Sequence, residues 1–185
     1  MKNKAIIIGL VSGMVMVTAL GAFSIISPKT YICGTDVYCP DQNFGDKFFV
    51  RHLETNKPVT GIVKGKINKS TFKASVKDGY LDGNLKEYGY EHLLRDCNFK
   101  NGKMDGLSKG YYGENGQLWW ERTYKDGEKD GPEKWYYENG QLMSEQTYKN
   151  GKEDGPGKRY NRNGELNGEA IYKDGRLIEC RGNCY

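Results

Sequence analysis

The sequence has very little histidine, few aliphatic residues beyond residue 27 and no long run of basic residues. Its two histidines, His52 and His92, lie outside any spacing typical of a metal site or a catalytic triad. The 28 basic and 24 acidic residues are interleaved, so no nucleic-acid surface is indicated. Because little Leu, Ile or Val is left to fill a closed core, a thin sheet is favoured over a compact sandwich.

The N-terminal segment is basic and then apolar. Lys2 and Lys4 precede Ala5–Ile26, an uncharged run long enough to cross a bilayer as a helix. Ala19 and Gly21 suit a signal-peptide cleavage site, whereas the apolar run continues past them and favours a retained anchor. We expect residues 1–27 to be one of these two. The rest would then be exported, as a membrane-anchored extracytoplasmic domain or, after cleavage, as a secreted or periplasmic one.

The five cysteines agree with an oxidising compartment. Two close pairs, Cys33 with Cys39 and Cys180 with Cys184, flank the central part of the chain, which predicts one local disulfide at each end. Other pairings stay open, and the spacing is poor for zinc. The odd cysteine, Cys97, is expected to be a half-buried thiol.

Self-similarity dominates the remainder. Asn-Gly steps ending at Gly116, Gly140 and Gly164 lie 24 residues apart, and a second turn column repeats at the same interval. We predict five repeats, at 61–82, 83–105, 106–130, 131–154 and 155–179, of which the first two are degenerate. Residues 28–60 would form a Cys-containing cap or linker and residues 180–185 a Cys-containing tail.

Each repeat reads as a β-hairpin, because Asn-Gly between aromatic-rich runs is a strong signal for a two-residue turn. Such a turn at Asn139-Gly140 would place Tyr136 opposite Met143, Tyr137 opposite Leu142 and Lys134 opposite Glu145. Lys158 and Glu169 would pair likewise. Four columns are expected to stack between repeats: Tyr112, Tyr136 and Tyr160; Leu118, Leu142 and Leu166; Tyr124, Tyr148 and Tyr172; Glu121, Glu145 and Glu169. The predicted fold is all-β, an elongated single-layer antiparallel meander of tandem hairpins preceded by an N-terminal apolar helix.

The pattern Tyr-Tyr-x-Asn-Gly-x-Leu-x-x-Glu-x-x-Tyr-Lys-x-Gly-Lys-x-Asp-Gly, at residues 136–155, resembles the MORN repeat variant. The closest group that it resembles is the bacterial YwqK-type family, which carries an antitoxin label. The resemblance covers about residues 57–179 and implies a scaffold or binding role with no catalytic residues and no cofactor. The export signal is a departure from a cytoplasmic antitoxin.

The adjacent tryptophans Trp119 and Trp120 are the most distinctive local feature, and strand alternation predicts that they point to opposite faces. Trp120 would then share its face with Leu118. The candidate binding residues form an aromatic strip that is either the thin core itself or a ligand-binding face: Trp120, Tyr124, Trp135, Tyr137, Leu142 and Tyr148.

The function predicted from the sequence is a non-catalytic protein-binding or scaffold module at the cell envelope, with an antitoxin or immunity-type inhibitor of a toxin as its specific form. An envelope glycan- or lipid-binding module is the alternative, since aromatic platforms also stack on sugars. A hydrolase is a distant alternative, because acidic residues that recur in every repeat indicate a structural role. No metal or nucleic-acid ligand is expected.

Overall fold

The structure, a computed structural model of the 185-residue chain, describes residues 10–11, 14–17, 30–32, 51–52, 58–67 and 69–184, and before residue 58 it describes the backbone alone. The strands are β1 Leu10–Val11, β2 Met14–Val17, β3 Thr30–Ile32, β4 Arg51–His52, β5 Gly61–Ile67, β6 Ser70–Lys77, β7 Tyr80–Tyr88, β8 Leu93–Lys100, β9 Lys103–Met104, β10 Gly106–Tyr111, β11 Leu118–Lys125, β12 Glu128–Tyr136, β13 Leu142–Lys149, β14 Lys152–Tyr160, β15 Leu166–Lys173 and β16 Arg176–Gly182.

The described chain is all-β, as predicted, and the repeats form antiparallel meanders. Apart from β1 and β2, the predicted N-terminal helix and the cleavage site lie outside the described residues. Cys33 and Cys39, the two residues of the predicted N-terminal disulfide, also lie outside them. Among the described residues no helix is long and apolar enough to span a membrane.

The chain divides into two compact units. The first comprises residues 1–91 and 99–103, and the second comprises residues 92–98 and 104–185. In the first unit β5, β6 and β7 follow one another antiparallel, whereas β3 pairs parallel with β5, which departs from a pure meander. In the second unit β10 to β16 pair in chain order, and β8 pairs with β10.

The core of the first unit is apolar. Phe72 and Leu85 are almost fully buried, at 2% and 1% exposure. Phe72 is the cross-strand partner of the buried Gly65. A glycine at that position leaves room for the ring of its neighbour. The other buried apolar side chains of this unit are Val59, Val63, Ala74, Val76, Leu81 and Phe99.

Two-residue turns connect one hairpin strand to the next. In the turn between β13 and β14, Asn150 and Gly151 have φ of 48° and 77°, so both residues adopt the left-handed conformation that a type I′ turn requires. Both residues of four other turns also have positive φ: Asp78-Gly79, Asn101-Gly102, Asp126-Gly127 and Asp174-Gly175.

Each of these turns is held by the repeat before it. The Asn150 N–H donates to the Asp130 carboxylate at 3.1 Å, and the Gly151 N–H donates to the Lys129 carbonyl at 2.9 Å. The same pair of bonds recurs at the other turns, with Thr60, Asp82, Asp105 and Asp154 as the side-chain acceptors. The Asp residues of the recurring Asp-Gly steps therefore join each turn to the preceding repeat by a hydrogen bond.

The glycine of that column lies at a bulge. The pairing of β11 with β12 runs from Arg122↔Glu133 to Tyr124↔Lys129, so residues 130–132 lie opposite Thr123 alone. Gly131 has φ of 121°, and a Cβ added there would lie 3.1 Å from the Thr123 Cβ. Glycine is therefore required by both conformation and space.

The turn that joins β12 to β13 differs from its prediction. The Gly140 N–H donates to the Tyr137 carbonyl and the Tyr137 N–H to the Gln141 carbonyl, so residues 138–140 form a three-residue loop ending at Gly140, with φ of 81°. Tyr136 consequently pairs with Leu142, and Met143 is bulged out of the register. The predicted Tyr136/Met143 and Tyr137/Leu142 pairs are wrong.

The predicted pairs Lys134/Glu145 and Lys158/Glu169 are confirmed, because the bulge residue compensates for the extra loop residue and restores the register. They belong to a ladder of alternating charge on one face of β8 and β10 to β16, which we call the charged face. Its members, strand by strand, are Asp96, Lys109, Glu121, Lys134, Glu145, Lys158, Glu169 and Arg181.

The first predicted tyrosine column is wrong by one residue in its first member. Tyr111, not Tyr112, pairs with a leucine as Tyr136 and Tyr160 do. The loop after β10 is one residue longer than its counterparts, which shifts the spacing there to 25. The Tyr136 hydroxyl donates to Glu121 and the Tyr160 hydroxyl donates to Glu145, which links tyrosine and glutamate columns on the charged face.

Candidate functional site

The opposite face of the second unit, the tryptophan face, carries Trp120, Arg122 and Tyr124 from β11. Trp120 and Tyr124 are buried, at 5% and 6% exposure. The Trp120 indole covers Gly110, its cross-strand partner, so closely that a Cβ on Gly110 would enter the ring. Of the predicted binding residues, these two belong to the core and are not accessible to a ligand.

A buried ion pair lies within this core. The Arg122 guanidinium carbon is 4.5 Å from the Trp120 ring centroid and 4.6 Å from that of Trp135, so two indoles contact the cation. Arg122 Nε lies 2.6 Å from Glu133 Oε1, and Lys129 Nζ lies 3.2 Å from the same oxygen. The next repeat lacks this ion pair, since Gln146 and Gly157 pair at the corresponding position.

Tyrosine hydroxyls surround the ion pair. Burial raises the pKa of Tyr148, and the nearby Glu133 carboxylate, which accepts its hydrogen bond, raises it further. Burial also raises the pKa of Tyr124, although Arg122 opposes that shift. Lys129 Nζ lies 3.6 Å from the Tyr148 ring centroid. Because its charges and hydroxyls contact one another, this cluster serves as a polar core.

The accessible aromatic surface lies beside the core, and we call it the aromatic row: Tyr112, Trp119, Trp135 and Tyr137. Trp119 is 39% exposed, and its ring centroid lies 5.8 Å from that of Tyr112 and 5.5 Å from that of Trp135. Trp119 is bulged where β10 pairs with β11, and its ring packs against Trp135, the cross-strand partner of Trp120. The prediction that the two adjacent tryptophans are separated on opposite faces is therefore wrong.

The two tyrosine hydroxyls of the aromatic row are hydrogen-bonded to backbone carbonyls. Tyr112 donates to the Tyr136 carbonyl at 2.7 Å, and Tyr137 donates to the Tyr160 carbonyl at 2.9 Å. The Arg162 guanidinium lies 5.3 Å from the Tyr137 ring centroid. The rings are thus held in place without a ligand, which lowers the entropy lost on binding.

The remaining predicted residues divide between the faces. Trp135 and Tyr148 lie on the tryptophan face and are half-buried, and Tyr137 is half-buried in the row. Leu142 pairs with Tyr136, whose hydroxyl reaches Glu121, so Leu142 lies on the charged face. Leu118, which corresponds to Leu142 in the preceding repeat, pairs with Tyr111 and is likewise not on the face of Trp120.

Four features of this face were not predicted from the sequence: the exposed Trp119, the bulged Met143, Arg159 as the cross-strand partner of Ser144, and the buried Arg122/Glu133 pair. Met143 and Trp119 could be found only from the bulge, which has no local sequence signal because both turn types contain Asn-Gly. The ion pair had a weak signal, since Arg122 and Glu133 replace the uncharged pair Gln146 and Gly157 of the next repeat.

The cysteines only partly match their predictions. The predicted disulfide between Cys180 and Cys184 is present, and Cys184 is buried. The other predicted disulfide, between Cys33 and Cys39, is not confirmed, because Cys33 and Cys39 lie outside the described residues, and it stays a prediction. Cys97 is a fully buried thiol and not the half-buried one predicted.

The C-terminal tail folds back onto the tryptophan face. The Asn183 N–H donates to the Asn167 carbonyl, and the Asn183 backbone covers Gly168, where a Cβ would collide with it. The described residues also form no metal site. Within residues 58–67 and 69–184, no three His, Cys, Asp or Glu side chains are grouped as metal ligands would be.

Comparison with known proteins bears on the best-formed repeats. No curated protein matches the chain. The family model described as the MORN repeat variant matches residues 129–150 and 153–174, which contain β13 and β15 together with most of β12 and β14. The chain therefore carries the MORN repeat variant at two successive repeats.

Proposed function

We propose that the chain is a non-catalytic protein-binding module at the cell envelope that uses the aromatic row as its contact surface. An antitoxin or immunity-type inhibitor of a toxin is the specific form, suggested by the resemblance of residues 136–155 to the YwqK-type family. The observation that carries the proposal is the exposed Trp119 packed between Tyr112 and Trp135, beside a core that Trp120 already closes.

Three physical arguments support a protein ligand. Tryptophan and tyrosine are the side chains most enriched among interface hot spots. The row joins rings from neighbouring repeats, and its hydroxyl groups are already hydrogen-bonded, so it offers flat apolar area. Glu121 and Glu145 of the charged face accept hydrogen bonds from tyrosine hydroxyls, and Glu121 also forms an ion pair with Lys109, which supports a structural role over a hydrolytic one.

The envelope location is supported by Lys2, Lys4 and the apolar run Ala5–Ile26. The disulfide between Cys180 and Cys184 fits an oxidising compartment. The competing ligand class is an envelope glycan or lipid, since exposed indoles also stack on sugars.

A photo-cross-linking amino acid at position 119 of the full chain, expressed in its host, tests the proposal. We expect one discrete protein adduct, which mass spectrometry would identify. The matched control carries the cross-linker at position 107, because Leu107 is similarly exposed (43% against 39%) but lies on the charged face. Adducts confined to glycan or lipid, equal protein adducts from both positions, or no adduct at all would contradict the proposal.

A further inference from the structure

A cavity of about 430 Å³ adjoins the aromatic row on the tryptophan face. Its wall residues include Trp135, Tyr137, Met143, Ser144 and Arg159. Ser144 has Trp135 as its cross-strand partner on one side and Arg159 on the other. A small floor residue therefore separates an aromatic wall from a cationic wall by two strand spacings, about 10 Å.

The arginine of the cationic wall makes no ion pair within the described chain. Arg159 is exposed, is the single charged residue among the described residues that line the cavity, and makes no ion pair with them. Arg122 on the same face differs in both respects, since it is buried and lies against Glu133. A planar guanidinium beside an apolar ring matches a carboxylate next to an apolar group, because the guanidinium can bind both carboxylate oxygens.

We infer that this cavity binds an acidic segment of the partner protein, in which an apolar side chain packs on Trp135 and a nearby Asp or Glu carboxylate binds Arg159. The inference rests on the proposed function and adds the chemistry of its partner. In an extended segment, side chains two positions apart point to the same side, about 7 Å from each other. An apolar-x-acid pattern can therefore reach both walls, because the Trp135 and Arg159 side chains are long and their backbones lie about 10 Å apart.

Binding of peptide pools to the full chain in detergent tests this inference. The probes are two labelled pools of the form acetyl-Gly-X-Gly-Z-Gly, where X is Leu, Phe or Trp and Z is Asp in one pool and Asn in the other. Fluorescence anisotropy should show that the Asp pool binds about fivefold more tightly, because an ion pair with an exposed arginine is partly screened by water and contributes about that factor at most. Arg159→Gln should abolish the preference, whereas Arg176→Gln, which alters another exposed arginine, should keep it.

Trp135→Leu should weaken both pools, with the circular dichroism spectrum as the check on folding. Equal binding of the two pools, binding of neither, or a preference that survives Arg159→Gln would overturn the inference. Arg159-dependent sedimentation with purified peptidoglycan, without any acid preference among the peptides, would also overturn it in favour of a glycan ligand. If the position-119 adduct forms but no acid preference exists, the inference fails while the proposed function stands.

Discussion

The two units build the same kind of hairpin around different cores. The first unit buries Phe72 and Leu85 among other apolar side chains, whereas the second buries Arg122 and Glu133 beside Trp120. In both, a buried aromatic ring faces a glycine, as Phe72 faces Gly65 and Trp120 faces Gly110, and an Asp carboxylate holds the next turn. The turn contacts and the aromatic–glycine pairs are thus common to both units, whereas the core side chains differ.

The variation leaves room in the second unit. Large side chains fill the tryptophan face at β11 and β12, but the small Ser144 follows on β13, between Trp135 and Arg159. Small residues cannot fill the space that tryptophan fills, so a cavity opens between Trp135 and Arg159.

The largest expected effect is on the free energy of unfolding when the buried ion pair of the polar core is broken. Glu133→Leu should destabilise the full chain by about 3–5 kcal/mol, because it leaves the Arg122 guanidinium buried without its carboxylate. The double change Arg122→Met with Glu133→Leu should recover most of this loss. Urea unfolding measures both, and a double variant no more stable than the single one would contradict the prediction.

The apolar core should respond differently. Leu85→Ala should cost about 3 kcal/mol by leaving a cavity opposite Ala74. Amide hydrogen exchange should accelerate first in β5, β6 and β7. Equal acceleration throughout β11 to β15 would show that the comparison of two separate cores is wrong.

The hydrogen bond from a turn N–H to the preceding Asp should contribute equally to stability in the two units. Asp130→Ala removes the acceptor of the Asn150 N–H, and Asp82→Ala removes that of the Asn101 N–H. Each should cost about 1 kcal/mol, the usual contribution of one hydrogen bond. Thermal unfolding measures both, with Asp126→Asn, which keeps a residue tolerant of positive φ, as the control. A difference above about 1 kcal/mol between the two alanine variants would deny a common role.

The smallest effect appears only in alkali. Burial, together with Glu121, raises the pKa of Tyr136 from 10.0 to about 12. The folded state therefore keeps a proton that the unfolded state loses, so this contribution is complete below about pH 10 and declines as the pH rises to about 12. Tyr136→Phe should make the fall in unfolding free energy over that range shallower. Tyr90→Phe, at a 99% exposed ring, is the control, and an unchanged slope for Tyr136→Phe would refute the assignment.

Much of the fold could be predicted from turn chemistry. The Asn-Gly and Asp-Gly columns indicated hairpins, and the Lys134/Glu145 register was correct because loop and bulge lengths cancel. The same cancellation hid the three-residue loop and with it the bulged positions of Trp119 and Met143. The apolar core of the first unit was also missed, although Phe72, Ala74 and Val76 alternate as a half-buried strand does.

The candidate site was less predictable than the fold. Trp135 and Tyr137 were found from aromatic content alone. Arg159 could not be identified, because its significance comes from Ser144 beside it and from the lack of a carboxylate partner within the described chain. Those are relations between strands that sequence spacing alone does not reveal.

The bonds between turns and Asp-Gly columns run in one direction along the chain. The backbone donors of Asn150 and Gly151 use acceptors at Asp130 and Lys129, which were synthesised earlier. A chain that emerges from its N-terminus therefore finds the acceptors for each new turn already in place. Folding can follow synthesis repeat by repeat, without waiting for the C-terminal tail to appear.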